Sequence, residues 1–196
     1  MNYYEAVIKL TEDTQFYDKA YKLFNNTDIT TLAKRIEEVG SIDDIKCVLI
    51  HGSGCTVTNP DILRSGYTKD FGYGFYCTES YKQAKRWALR KEPTPTVNYY
   101  AYTPNPNLKY KKFSCIDEEW ARFIANCRNG VEHNYDIVEG PMADDSVWNY
   151  TADFMSGKIN LEMFLTFAKF NYPTHQICFC TKEALKTLTY LRKENV

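Results

Sequence analysis

Asp70-Phe71-Gly72-Tyr73-Gly74-Phe75-Tyr76-Cys77-Thr78-Glu79, taken with His51-Gly52-Ser53-Gly54, is the stretch on which the reading of this chain turns. Glycines at 72 and 74 permit backbone conformations and close approaches that other residues resist. They deliver Phe75-Tyr76-Cys77, a short run of strand character, out of a tight loop. His51 ends the apolar run Cys47-Val48-Leu49-Ile50, and the small residues after it leave the imidazole beside space that a ligand can enter. Two readings are open here: a ligand-facing loop and strand, or a hairpin turn with a core tyrosine. One Gly-x-Gly is not a dinucleotide-binding fingerprint, which needs a third glycine between a strand and a helix. No Walker-type phosphate loop is present.

Working outward, the first 45 residues predict two helices. Phe16, Ala20 and Leu23 share one helical face, as do Leu32, Ile36 and Val39, with Asp28 placed to cap the second helix and Gly40 to end it. Asn59 to Gly74, rich in Gly, Asp and Pro, is expected to be loop. Thr78 is expected to cap a helix reaching about Lys91, stopped by Pro93 and Pro95. Val97 to Thr103 alternates like a strand, and Leu108 to Phe113 is expected to pair with it. Asp117 to Cys127 is expected to be helical, with Trp120, Phe123, Ile124 and Cys127 on one face, and Tyr135 to Val138 to be a strand. Helices follow around Ser146–Met155 and Leu161–Phe170. His175 to Cys180 is the last strand expected, and Thr181 caps a final helix. Short strands scattered among helices, without regular alternation, argue for an α+β fold with antiparallel pairing.

The 196 residues suit one compact domain, with 44 % apolar and 25 % charged residues as in ordinary globular proteins. Aromatics reach 15 %, with 16 tyrosines, a residue suited to pockets and interfaces as well as cores. A net charge of −1 gives no global pull towards nucleic acid or an anionic membrane. Seven cysteines at irregular spacing read as reduced thiols of a cytoplasmic protein. The start, MNYYEAVIKLTED, does not read as a signal peptide, and no apolar run is long enough for a membrane span.

The motifs HGSG, DFGYGFYCTES, YKQAKRWA and HQICFCTKEAL together resemble the ADP-ribosyltransferases of the diphtheria-toxin and poly(ADP-ribose) polymerase type. The chain is more closely similar to a bacterial domain-of-unknown-function family proposed to share their fold. That resemblance runs from about Val48 to Leu191 and includes the signatures WARFIAN at 120–126 and YDIVEGP at 135–141. It implies two small antiparallel sheets with surrounding helices, a catalytic domain over residues 46–196 and a helical accessory segment over 1–45. It also implies NAD as co-substrate and transfer of single ADP-ribose units to a macromolecular acceptor, protein or nucleic acid. Small bacterial transferases of this kind often act as toxins or regulators.

The same resemblance implies the site. His51 would hydrogen-bond a ribose hydroxyl, Tyr76 would stack on nicotinamide, and Gln176 would stand where the strongly active enzymes carry a glutamate. Gly52, Ser53, Phe71, Gly74, Phe75 and Thr78 would complete the NAD contacts. The family's second aromatic lies eleven residues after the strand tyrosine, which is Trp87 here; an ordinary core anchor is the other reading of that tryptophan. Cleaving the nicotinamide–ribose bond creates an oxocarbenium-like sugar, so positioning and electrostatics contribute most of the catalysis. A neutral Gln176 amide keeps a hydrogen bond but not a carboxylate's charge. The alternatives are therefore an NAD-binding pseudoenzyme, an NAD glycohydrolase, or a non-catalytic partner-binding domain.

Other constellations are thinner. In a strand over 175–180, alternation sends Gln176, Cys178 and Cys180 to one face and His175, Ile177 and Phe179 to the other, without saying which is the core. It also separates His175 from the two thiols, so no metal is expected. A Cys–His hydrolase using His51 with Cys55, Cys77 or Cys115 has no local signature to support it. Lys82, Lys85, Arg86, Arg90 and Lys91 read as a solvated helical face, or as cations drawing a pyrophosphate or a nucleic-acid target towards the cleft. His133 has no evident partner.

Overall fold

Three helices open the chain, α1 (Tyr3–Glu12), α2 (Thr14–Phe24) and α3 (Ile29–Val39), one more than the sequence predicts. Asp13 makes the difference. Its extended backbone ends α1, and its carboxylate accepts from the Phe16 N–H at 3.0 Å to cap α2. Such a cap contributes about 0.5–2 kcal/mol, which favours a helix start at this point. Asp28 and Gly40 hold their predicted places: Asp28 accepts from the Thr31 N–H at 2.7 Å, and Gly40 ends α3 at φ +92°. The computed structural model describes residues 1–62, 69–143, 148–168 and 173–196. The helix start at Ser146 and the helix end at Phe170 lie outside the described residues, as does part of the loop after Asn59.

The strands form two sheets. One is antiparallel throughout, β1 (Cys47–Ser53), β3 (Thr96–Tyr102) and β7 (Leu188–Asn195), in the order β1-β3-β7. The other contains β2 (Phe75–Cys77), β4 (Tyr110–Lys112), β5 (Ile137–Gly140) and β6 (Gln176–Phe179), in the order β2-β6-β5-β4. Two expectations are corrected here. The Leu108–Phe113 segment does not pair with β3: it joins the second sheet, parallel to β5. Asp136 carries it there, its carboxylate accepting from the Lys109 N–H at 2.9 Å while its own N–H donates to the Lys109 carbonyl at 2.8 Å. Not every pairing is therefore antiparallel. The final helix after Thr181 is only one turn, α8 (Lys182–Leu185), and the chain ends in a strand. A register shift between Tyr99 and Tyr100 leaves Leu191 as an extra residue on β7. Leu188 and Leu191 are thus both buried though three apart, a spacing that mimics a helix.

Three hydrophobic clusters stack these elements into layers. Ile177 and Phe179 of β6 meet Leu49, Tyr100 and Tyr102 of the other sheet, filling the space between the two sheets. Val97, Tyr99 and Ala101 of β3 and Leu191 face outwards onto α1, α2, α3 and α4 (Tyr81–Ala88), so residues 1–45 share a core with the first sheet. Val138 and Cys178 face α5 (Glu118–Arg128), α6 (Trp148–Met155) and α7 (Leu161–Ala168) on the far side. The fully buried Trp120 anchors that last layer and donates its indole N–H to the Pro141 carbonyl at 3.1 Å.

Candidate functional site

Ile50 and Thr78 exchange backbone hydrogen bonds of 2.8 and 2.9 Å, tying β1 to the end of β2 and so one sheet to the other. That bridge places His51 beside Tyr76. His51 Nδ1 lies 2.7 Å from the Tyr76 carbonyl, and its ring packs against Phe75 with centroids 4.3 Å apart and planes tilted by 32°. A carbonyl only accepts, so Nδ1 carries the proton and the neutral ring presents Nε2 as a bare acceptor. Burial, with the Lys69 and Lys91 charges pushing the same way, lowers the His51 pKa from 6.5 to about 4, against the Tyr76 hydrogen bond.

Between about 4 and 6.5 the unfolded chain binds the proton that folded His51 refuses, so this contribution is complete above 6.5 and lost as pH falls towards 4. We predict that wild-type urea midpoints fall across that window more steeply than those of His51→Asn. Parallel curves for the two proteins would refute the assignment.

A cavity of about 290 Å³ opens at this bridge. His51, Gly52, Ser53, Tyr76, Thr78, Trp87 and Gln176 all line it, although they come from β1, β2, α4 and β6. Gly52 is there for packing: a Cβ on it would meet the Ala84 carbonyl oxygen at 2.1 Å, so α4 rests directly on β1 and carries Trp87 to the cleft wall. Trp87 is half-buried and lies outside the three buried clusters, with the Arg90 guanidinium 5.2 Å from its ring centre. Ser80, not Thr78, caps α4, accepting from the Gln83 N–H at 3.3 Å; the Thr78 hydroxyl accepts from the Ser80 N–H at 3.1 Å and faces the cleft.

Phe71, Gly74 and Phe75 stand behind the cleft, not in it. Phe71 is fully buried against Phe113 and Phe123. A Cβ on Gly74 would lie 2.3 Å from Cys178 Sγ, so this glycine serves the β2–β6 contact. Phe75 backs the His51 ring. The Tyr76 hydroxyl donates to the Gly72 carbonyl at 2.8 Å and accepts from the Phe71 N–H at 3.0 Å. Its ring orientation is therefore locked by the same loop that precedes it.

Asp70, Arg128, Gln83 and Lys69 line the wall without having been given a role from the sequence. Asp70 and Arg128 are paired side chains 7 % and 3 % exposed, with Arg128 Nε donating to Asp70 Oδ1 at 2.9 Å and its Nη2 to the same oxygen. Asp70 Oδ2 accepts from the Ala143 N–H and from Gln176 Nε2, both at 2.8 Å. Gln83 holds the start of β6 by bonding both the N–H and the carbonyl of His175. Lys69 and Lys91 complete the rim, and burial, then the Lys91 charge, lowers the Lys69 pKa. Cations thus outnumber carboxylates among the described lining residues, where Asp70 is the one acid. Of the helical cation group, Lys91 reaches the cleft while Arg90 covers Trp87.

The remaining constellations fall elsewhere. His175 Nδ1 accepts from the Glu79 N–H at 3.2 Å, and among the described residues no three metal-binding side chains converge. Cys77 lines the cleft, but burial raises its thiol well above the ordinary value, and Cys115 bonds Asp117. His133 has found partners: its Nε2 lies 3.0 Å from the Phe71 carbonyl, and its Nδ1 accepts from the Tyr135 N–H at 3.2 Å. Beside it, Cys180 Sγ stands 3.4 Å from Cys178 Sγ. The Cys178 hydrogen bond, then His133, hold the Cys180 thiol below its ordinary pKa.

Among the described residues no helix is long and apolar enough to cross a membrane. Comparison with curated proteins and with solved structures returns no match. A family model described as "Protein of unknown function (DUF3990)" matches residues 47–190, which takes in every strand but the end of β7 and all of the cleft lining. The chain therefore belongs to the DUF3990 family of proteins of unknown function.

Proposed function

We propose that this protein has an ADP-ribosyltransferase-like fold, binds NAD in the cleft between β1, β2, α4 and β6, and transfers single ADP-ribose units from it to a macromolecular acceptor in the bacterial cytoplasm. The observation that carries this reading is a pair of open acceptors on residues that line one cavity. His51 Nε2 is bare because Nδ1 donates to Tyr76, and Gln176 Oε1 is left over because Nε2 donates to Asp70 and to the Pro141 carbonyl at 3.2 Å. A ligand meeting both must bring donors, which is what ribose hydroxyls supply. Tyr76 and Trp87 each have a cation near one ring face, Lys69 at 5.1 Å and Arg90 at 5.2 Å, so a flat ring would take the opposite faces, while Lys69 and Lys91 would supply charge for a pyrophosphate.

Bond cleavage in this reading relies on position. His51 and Gln176 would orient the ribose, Tyr76 and Trp87 would hold the departing nicotinamide, and the wall would exclude water from the forming cation. One observation favours a second reading, NAD binding with slow or no turnover. Asp70, the one lining carboxylate among the described residues, is taken up by Arg128, Gln176 and Ala143 and offers no free anion to a cation.

Incubation with millimolar NAD should raise the melting temperature by mass action and release nicotinamide. Trp87→Ala should weaken NAD binding by about 1–3 kcal/mol, the range for base–aromatic stacking. Tyr76→Phe keeps the ring but strands the Phe71 N–H and Gly72 carbonyl, so it should bind NAD and melt lower than wild type. An unmoved melting temperature together with no nicotinamide over hours would overturn the NAD reading. Thermal shift without nicotinamide release would select the binding-only reading.

A further inference from the structure

We propose that Asp70 is a positioning residue for Gln176, and that it determines both which atom of the Gln176 side chain meets the ligand and why the residue there is an amide. The argument is one of hydrogen-bond polarity. Gln176 is 6 % exposed, and its terminal amide lies 2.8 Å from Asp70 Oδ2 and 3.2 Å from the Pro141 carbonyl. Both neighbours are acceptors, so only the NH2 group fits between them. Oε1 is turned the other way, to the cavity that Gln176 lines.

Asp70 is itself immobile. Arg128 grips Oδ1 and the Ala143 N–H grips Oδ2, the latter at 2.8 Å, so the carboxylate cannot rotate away from the amide. A glutamate at 176 would set an oxygen where Nε2 now stands, against two acceptors in a buried wall. It would be held only by keeping a proton on one of the two carboxyls. The neutral amide is thus the partner that a buried, already fixed Asp70 accepts.

The proposal rests in part on the NAD reading, and its test separates the two. Nicotinamide release is measured for wild type, Asp70→Asn, Gln176→Ala and the double variant, each corrected for folded fraction by circular dichroism. Loss of one oriented hydrogen bond should lower kcat of Asp70→Asn about tenfold in the Gln176 background, whereas in the Gln176→Ala background Asp70→Asn should change it less than about twofold. Equal losses in both backgrounds would mean that Asp70 acts independently of Gln176, and would overturn the proposal. A second measurement uses the wild-type protein alone and needs no substrate. In NMR spectra the Gln176 side-chain NH2 should exchange slowly with solvent and show a contact to the Ala143 amide proton, since both bond the same Asp70 oxygen. A fast-exchanging amide without that contact overturns the positioning role even if Asp70→Asn does not fold. Wild-type protein that shows the protected amide but neither gains thermal stability from NAD nor releases nicotinamide refutes the NAD reading and leaves the orientation of Gln176 standing.

Discussion

Arg128→Ala is expected to lower the free energy of unfolding by about 3–5 kcal/mol, the range for removing one partner of a buried ion pair. The pair's side chains are nearly closed to water, and Arg128 supplies two of the donors that Asp70 accepts. Without the guanidinium, a carboxylate remains in the wall with only the Ala143 N–H and the Gln176 amide to solvate it. Arg128→Lys should be intermediate, because an ammonium retains the charge but not the planar fork that bonds one oxygen through Nε and Nη2. Urea unfolding followed by tryptophan fluorescence measures both. A loss for Arg128→Ala below about 1 kcal/mol, the size of a surface effect, would show that the pair contributes little.

Gly52→Ala is expected to damage stability and the cleft together. The added methyl would lie 2.1 Å from the Ala84 carbonyl oxygen and 2.8 Å from the Ala88 nitrogen, both main-chain atoms of α4. Neither can swing aside as a side chain could, so α4 must lift from β1. Overpacking of this sort costs about 1–3 kcal/mol and more where backbone has to move. Because α4 carries Trp87 and Gln83, its displacement also shifts one wall of the cavity and the anchor of β6. Gly52→Ala should therefore lose NAD-induced stabilisation to a greater degree than its own melting temperature predicts. Native-like melting with native-like ligand response would show that the β1–α4 contact is looser than 2.1 Å implies.

Much of the cleft was legible, His51 and Tyr76 from local chemistry, Trp87 and Gln176 from the family resemblance alone. His51 after an apolar run, Tyr76 after two glycines, Trp87 on the following helix and Gln176 on a late strand all come to one cavity. Asp70 sat inside the most telling motif and still received no role, since its partners Arg128, Ala143 and Gln176 are distant in sequence. No periodicity links an aspartate in a loop to an arginine in the last turn of α5. Phe71, Gly74 and Phe75 show the converse. Their neighbours in sequence mark a site, but their side chains or close contacts support it from behind.

By itself the sequence determined what depends on near neighbours: the caps at Asp28 and Thr181, the helix stop at Gly40, the strand at Phe75–Cys77 and the α+β class. These follow from propensities, turn residues and side-chain periodicity, which act over a few residues. Tertiary structure alone decided the rest. Alternation could split β6 into two faces but could not say that Gln176 and Cys178 turn away from the space between the sheets while Ile177 and Phe179 fill it. Nor could it foresee the parallel β4–β5 pair, which Asp136 arranges, or β7, whose bulge at Leu191 spoils the two-residue period. The neutrality of His51, the acceptor face of Gln176 and the union of Asp70 with Arg128 arise only when distant segments exclude water together. Burial sets those properties, and burial is a property of the folded chain.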